Sequence, residues 1–537
     1  MAKRVLPPDQ GKRPHPQTAP VVVSSPGIGK AAEKIEPWFP WTAAAVFFII
    51  MAWMTFRWHT VGGLGVETDF YAEMYPAAKQ LLAGHFSPSN YGAKGPVYSI
   101  LLAGFYLVVR DFFTAGLLLN LVSASLFLPV LYFLVRTVFN KLTAVFTLFA
   151  VMSNYMFLSY TYQAGSDMPF MLICALSLFF LFRGRGNLDL VLSAVFGMIA
   201  FLTRYNGAFI VAGAAVFYIW SEEALAGRLK KLGIWLAVFV AAGLPWFIPN
   251  ALTTGNPIHN DNYVNVMMDY YGLGKAGVTY ENWTDALPKQ FTGIGDIILY
   301  NPVYFTRHTL SNMAGHFLND MKELVNWRLG VFVIIGMILL LVSIRPIRSQ
   351  IRYFTFGVFY FLILAIVFYN ARFSLFLLAM YIPAAVWPFT VPIRPLFLRW
   401  FSRLMLAGLV LVILSGAVAN APKIYQDIQQ SPTFLKDLGQ ALGKAEPDKS
   451  QKIIARKPHT AYYAGLNPVM FPEKPRTIEE LVQFCHEQKV RYILYSVIEA
   501  GARPNLRGLI TIDDKFPGLR EVYHNEYGLI YRVHDFH

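Results

Sequence analysis

Charge is scarce in this 537-residue chain. Asp, Glu, Lys and Arg make up only 15% of it, hydrophobic residues make up 55%, and mean hydropathy is +0.43. An ordinary soluble domain is about a quarter charged, so this composition excludes a chain that is soluble throughout. Cysteine is scarcer still. Cys174 lies in an apolar run and Cys485 in a polar C-terminal region. Two such residues make no disulfide framework and point to no metal site. The region from 423 onward also lacks a Gly-rich nucleotide loop. The net charge of +14 does not argue for nucleic-acid binding, because a basic excess in a membrane protein reports topology.

What the chain does have is repeated apolar runs of roughly 16–24 residues, each long enough to approach or exceed a bilayer crossing. Residues 1–37 precede them and are rich in Pro, Lys, Arg and Ser without apolar period, which reads as a disordered basic tail. The first run, 38–57, lacks a small-residue cleavage site and reads as an uncleaved signal anchor. Further spans are expected near 112–135, 142–160, 168–182, 188–203, 206–221, 232–249, 328–344, 353–369, 373–393 and 404–420, eleven with the first. The expected fold is a polytopic α-helical membrane protein of about 11 transmembrane helices over 38–421, followed by a small α/β domain over 422–537.

One run needs separate treatment. Residues 96–109 would make a helix of only about 21 Å, against a hydrocarbon core of about 30 Å. If this run lies at the surface, the segments 1–37, 136–141, 183–186, 222–231, 345–352 and 394–403 share one side and hold 19 Lys and Arg against five Asp and Glu. That side is the cytoplasm by the positive-inside rule. A crossing at 96–109 would break the pattern, so the run is expected to be a re-entrant or surface-lying helix. The first outer loop (62–111) and the long 250–327 segment then fall outside the cytoplasm, with the C-terminal domain. The 250–327 segment is polar and aromatic, and reads either as a lid or binding loop or as a structural cap.

From 423 onward the chain has 16 Lys and Arg against 14 Asp and Glu, ordinary for a soluble domain. Residues 452–457 and 491–496 read as strands. Thr477 and Glu480 have capping-box spacing before a helical run to 489, and 518–533 reads as a hairpin. This domain is expected to be accessory.

Charged residues near bilayer depth need a reason. The first outer loop gathers Glu67, Asp69, Glu73, Asn90 and Lys94. A carboxylate there can serve as general base on an acceptor hydroxyl, or be a solvated loop acid. Glu67 and Asp69 would face opposite sides of a strand, whereas on a helix Asp69 and Glu73 would share a face. Lys94-Gly95-Pro96 opens the interfacial helix. A lysine beside helix-start amides suits an anionic phosphate, and a snorkelling anchor is the plainer alternative. Ser166 and Asp167 with Pro169 read as a helix start. Arg204, in LTRYNG, and Arg372, in YNARF, stand at outer span ends where topology disfavours cations, which points to buried or anion-binding roles.

Taken together, ETDFYAEMYPAAKQLLAGHF, YGAKGPVYSILLAGFYLV, AGSDMPF, LTRYNG and a late ARF…YIP resemble the GT-C superfamily of membrane glycosyltransferases, in particular its protein O-mannosyltransferase and lipid A aminoarabinose transferase branch. The resemblance covers about 38–395. It implies a polyprenyl-phosphate sugar donor and a lipid, glycan or protein acceptor. It further implies transfer outside the cytoplasm with inversion at the anomeric carbon. Asp69 matches the family's outer-loop base, with Glu67 as the other candidate, and Asp167 matches a second outer aspartate. Lys94 matches the lysine that meets the lipid phosphate. Arg204, Tyr205, Asn206 and Arg372 fit substrate-binding positions near the cavity. No metal and no cofactor is expected, and the location expected is the bacterial inner membrane, N-terminus inside. Two other readings stand beside this one. A transporter or flippase of lipid-linked sugars would show inverted repeats and interrupted spans. A scaffold would leave Asp69, Lys94 and Asp167 scattered.

Overall fold

The computed structural model describes residues 37–92, 94–272, 291–342, 348–391, 396–472, 474–510 and 516–534; the tail 1–36 lies outside them. Helix α1 (Phe39–Trp58) starts with Pro40 in its first turn, where a missing N–H costs nothing. It buries the stripe Ala44, Phe47, Met51 and Thr55, spaced three or four apart, and packs on a longer helix, Phe112–Val138.

Between these two runs the segment expected as the first outer loop folds into helices. Glu67–Asp69, a π turn Phe70–Met74 and Tyr75–Leu82 follow one another directly. Helix α2 (Val97–Val109) has 13 residues, about 20 Å of rise. The run expected at the surface is thus a short helix of its own, ended by Arg110 in the left-handed conformation (φ 62°). Gly95 just before it is obligatory, since a Cβ there would meet the Leu202 carbonyl oxygen at 2.0 Å.

Helix α3 (Phe112–Val138) is central. Its start is capped by Asp111, whose carboxylate accepts from Thr114 N at 2.8 Å. It packs on α1, on Lys141–Met152, on α2 and on α4 (Asp167–Arg183), which in turn lies against α5 (Asn187–Thr203). The run expected as one span over 142–160 is broken. Lys141–Met152 and Tyr155–Thr161 meet at 62°. The physical reason is Asn154, whose amide oxygen caps the second helix at Phe157 N (2.9 Å) while its nitrogen donates to Leu324 O (2.8 Å).

Among the described residues, four stretches are long and apolar enough to cross a membrane by length and composition: α1, α3, Leu225–Thr254 and Arg403–Ala445. The broken pair would make a fifth, and the other apolar helices are shorter. The 250–327 segment is not a plain loop. It carries helices Tyr263–Met267, Ile294–Tyr300 and Pro302–Asn319 and a π turn Asp320–Leu324. Residues 273–290 of it lie outside the described set.

Helix Leu396–Gln429 runs past the expected domain boundary at 422 and leads to the C-terminal domain. Its five strands are β1 (Lys452–Ala455), β2 (Asn467–Met470), β3 (Tyr492–Ser496), β4 (Leu519–Asn525) and β5 (Gly528–Val533), in order β2-β1-β3-β5-β4. β1 pairs in parallel with β2 and β3, and β5 pairs antiparallel with β3 and β4. Both faces are covered, one by Thr433–Ala445 and His459–Ala464, the other by Ile478–Gln488, so β3 is buried throughout and reads as a continuous apolar run. Thr477 caps its helix at Glu480 N, but Glu480 accepts from Arg476 N. The complete capping box is Ser496 with Glu499.

Candidate active site

Five chain segments bring their charged residues to one place. Asp69 leaves the short helix Glu67–Asp69. Lys94 stands just before α2, Asp167 opens α4, Arg204 ends α5, and Arg372 lies in the turn before Leu375–Leu377. Lys94 Nζ donates to Asp69 Oδ2 at 3.1 Å and to Glu73 Oε2 at 3.2 Å. The helical spacing of Asp69 and Glu73 therefore puts both acids on one lysine. Arg372 Nη1 donates to the same Asp69 oxygen at 3.0 Å, and its Nε donates to Asp167 Oδ2 at 2.8 Å. Asp167 Oδ1 accepts from Arg204. The result is a continuous chain of alternating charge: Glu73, Lys94, Asp69, Arg372, Asp167, Arg204.

Burial decides what this chain is worth. Asp167, Arg204 and Arg372 side chains are 4–8% exposed, while Asp69 is 35% exposed. Burial pushes the Asp69 carboxyl up, but the Lys94 and Arg372 cations outweigh it and hold the group at about 2. Burial works against charge on Arg372, and the Asp167 and Asp69 carboxylates more than restore it. Arg372 Nη2 is buried with no partner among the described residues, one strong donor left over. Asp167 is not a helix cap. Its carboxylate goes to the two arginines, and Ser166 makes no capping hydrogen bond.

Glu67 is placed differently. It is 1% exposed, and its carboxylate accepts from Gly63 N at 2.6 Å and Ala164 N at 2.7 Å, with His59 Nε2 2.8 Å from Oε2. Those contacts fill its lone pairs and tie α1, the outer loop and the turn before α4 together. Of the two, Asp69 is the acid with a free face in the site. His59 escaped sequence reasoning because the turn that folds it onto Glu67 has no residue signature. Tyr205 donates its hydroxyl to Tyr91 O at 3.3 Å and so supports the loop wall.

A cavity adjoins each end of the charged chain. At the Lys94 end, about 240 Å³ is lined by Glu73, Asn90, Lys94, Tyr98 and Asp261. Asp261 comes from the 250–327 segment, and its backbone N–H donates to Gly92 O at 2.8 Å, docking that segment on the first loop. At the Arg204 end, about 320 Å³ is lined by Arg204, Tyr205 and Asn206 and by apolar Phe201, Ile363 and Val367. The arrangement can hold an anion between cations with an apolar tail on one side and a polar group on the other.

A family model described as dolichyl-phosphate-mannose-protein mannosyltransferase matches residues 93–252. Those residues include Lys94, Asp167 and Arg204 but neither Asp69 nor Arg372. The chain is similar in fold to ArnT from Cupriavidus metallidurans bound to undecaprenyl phosphate (TM-score 0.56, 14% identity, 94% of this chain and 98% of that chain). The fold is that of a GT-C glycosyltransferase. A second GT-C structure, the archaeal oligosaccharyltransferase AglB from Archaeoglobus fulgidus in complex with an inhibitory peptide and a dolichol-phosphate, matches with TM-score 0.53 and 13% identity over 87% of this chain and 70% of that one. No curated protein matches the chain in sequence. The GT-C likeness runs through the C-terminal domain as well as the helices, since the ArnT match spans nearly the whole of both chains. With its apolar helices, the chain is a membrane protein.

Proposed function

We propose that this chain is an inverting glycosyltransferase. It moves a sugar from a polyprenyl-phosphate carrier to a hydroxyl of a lipid, glycan or protein acceptor, at the extracytoplasmic face of the bacterial inner membrane. About eleven crossings leave the N-terminus inside and the C-terminal domain outside. The observation that carries the reading is the convergence of Asp69, Lys94, Asp167, Arg204 and Arg372, from five segments, between a polar cavity and an apolar one. A scaffold has no use for that convergence. A flippase would put its charges at mid-span, whereas these stand at helix ends and in turns.

In this reading the donor phosphate sits among Lys94, Arg372 and Arg204, its prenyl chain enters the apolar cavity, and Arg372 Nη2 supplies a ready donor to a phosphate oxygen. Asp167 orients the two arginines. Three cations and three carboxylates balance in the charged chain. An added phosphate makes the site net negative and draws Lys94 and Arg372 away from Asp69. The carboxyl then rises from about 2 toward a value at which it can take a proton. Asp69 accepts the acceptor's hydroxyl proton. The acceptor oxygen bonds to the anomeric carbon, and the carbon–oxygen bond to phosphate breaks on the opposite face. The electron pair leaves on the phosphate, where the cations stabilise it. One displacement inverts the carbon and needs no covalent enzyme intermediate.

The test is transfer by the full chain reconstituted in vesicles of its own membrane lipids with the polyprenyl-phosphate sugars extracted from them. Asp69→Asn is expected to abolish transfer while donor stays bound. Turnover at the native rate in that variant removes Asp69 as base.

A further inference from the structure

A further cavity beside the first loop plays no part in the chemistry above. It measures about 590 Å³ and lies where the transmembrane helices, α2 and the C-terminal domain meet. The short helices after Glu67 separate it from the charged chain: Asp69 and Glu73 face Lys94, whereas Tyr71 packs on Phe113 and Tyr463, and Tyr75 lines the cavity with Tyr462. Its membrane-side wall is Phe56, from the last turn of α1, with Thr114 and Leu117 of α3. Its upper wall is Lys436, Gln440, Tyr462 and Tyr463 of the C-terminal domain.

Two cations line it, Arg110 and Lys436; among the described residues neither meets a carboxylate, and Lys436 donates to Thr60 O at 3.4 Å beside the Tyr463 ring. The one acid present, Asp111, is already engaged, capping Thr114 N at 2.8 Å and lying 3.5 Å from the Tyr462 hydroxyl. Arg110 holds φ 62°, where glycine is the unstrained choice at a helix end, yet the chain carries an arginine there. Beside it the surface turns apolar. Leu107 and Val108, between Tyr106 and Arg110, are 53% and 84% exposed, and Phe56 is 45% exposed. A bare apolar surface next to a polar, aromatic and cationic recess is the pattern of a head group with its tail outside.

We propose that this recess binds the phosphate-bearing head group of an anionic membrane lipid from the outer leaflet. The phosphate lies between Arg110 and Lys436, tyrosine rings flank the polar remainder, and the acyl chains lie along Leu107 and Val108. The lipid fastens the C-terminal domain to the membrane-side helices, against His59, which lines the recess and pairs with the buried Glu67. The proposal stands without the transfer reaction, because a second occupant of the charged chain plays no part in it.

The experiment is native mass spectrometry of the full chain in neutral detergent, titrated with phosphatidylglycerol, combined with amide hydrogen exchange over 106–117 and 433–445. Wild type is expected to retain one phosphatidylglycerol and gain protection in both segments. Arg110→Gln with Lys436→Gln weakens that retention roughly tenfold for each cation removed. Lys94→Ala, which strips a donor lipid from the charged chain, leaves it intact, so failure of either reading shows separately. Should the double variant not fold, protection of the wild type alone decides. Equal retention by the double variant overturns the proposal, as does protection absent from 106–117. Displacement of the lipid by millimolar inorganic phosphate would assign the recess to free phosphate and overturn it too.

Discussion

Arg372 bridges the two aspartates of the candidate site, so its removal tests the electrostatic account most sharply. Arg372→Met keeps much of the length of the side chain and deletes the charge. Asp167 then keeps Arg204 and Asp69 keeps Lys94, but each loses a partner held at 2.8–3.0 Å in a setting where Arg372 is 8% exposed. Breaking a buried pair from one side costs about 3–5 kcal/mol. Because each acid retains one cation, the expected loss is near the lower end, about 3 kcal/mol. Asp167→Asn in the same chain removes the acid left short of charge. The double variant is therefore expected to recover about 1–2 kcal/mol of that loss, a coupling of the size seen between residues in contact. The assay is thermal unfolding of the detergent-solubilised chain, followed by tryptophan fluorescence, across the full double-mutant cycle at pH 7. Strictly additive losses would refute the bridge, and a stability gain in Arg372→Met alone would refute the claim that the cations are needed to hold the two acids.

Three other outcomes follow from particular contacts. Glu67→Gln should cost about 2 kcal/mol and lower the melting temperature, because an amide cannot accept from Gly63 N, Ala164 N and His59 together; transfer by the folded variant should persist, which separates it from Asp69→Asn. Gly95→Ala should lower both stability and donor retention, since its methyl would meet the Leu202 carbonyl and push Lys94 off Asp69; normal retention in binding assays would contradict this. Asp320 is fully buried, and burial holds its carboxyl up at about 7 despite donors such as Tyr381 at 3.0 Å. The folded state then keeps a proton that the unfolded chain loses near 3.8, so stability falls as pH rises between 3.8 and about 7 and stays low above. Asp320→Asn should therefore stabilise the chain by up to about 4 kcal/mol at pH 8 and by much less at pH 5, read from melts at the two pH values.

Much of the fold is legible in the residues themselves. Apolar runs locate the helices, and the shortness of 96–109 sets α2 apart from the spans around it. The Thr477 cap, the apolar run of β3 and the hairpin pattern over 518–533 announce the C-terminal sheet. Lys94 before Pro96, and Arg204 and Arg372 at the ends of apolar runs, are conspicuous because cations near bilayer depth are costly. The break at Asn154 is not legible, because it depends on a carbonyl 170 residues away at Leu324. Nor are the different surroundings of Glu67 and Asp69 or the helices of the 250–327 segment. Those rest on partners such as His59, Ala164 and Gly92 that only the folded chain brings close. Helical spacing implies that Asp69 and Glu73 share a face; that Lys94 meets both is seen only in the folded chain.

The central claim is that Asp69 and Lys94 stand at a carrier-lipid phosphate. Its most direct test is mass spectrometry of the lipids that co-purify with Asp69→Asn in gentle detergent. A polyprenyl-phosphate sugar retained by that variant, and lost when Lys94→Ala is added, is the predicted result. Ordinary phospholipid alone, or carrier lipid retained equally without Lys94, would contradict it.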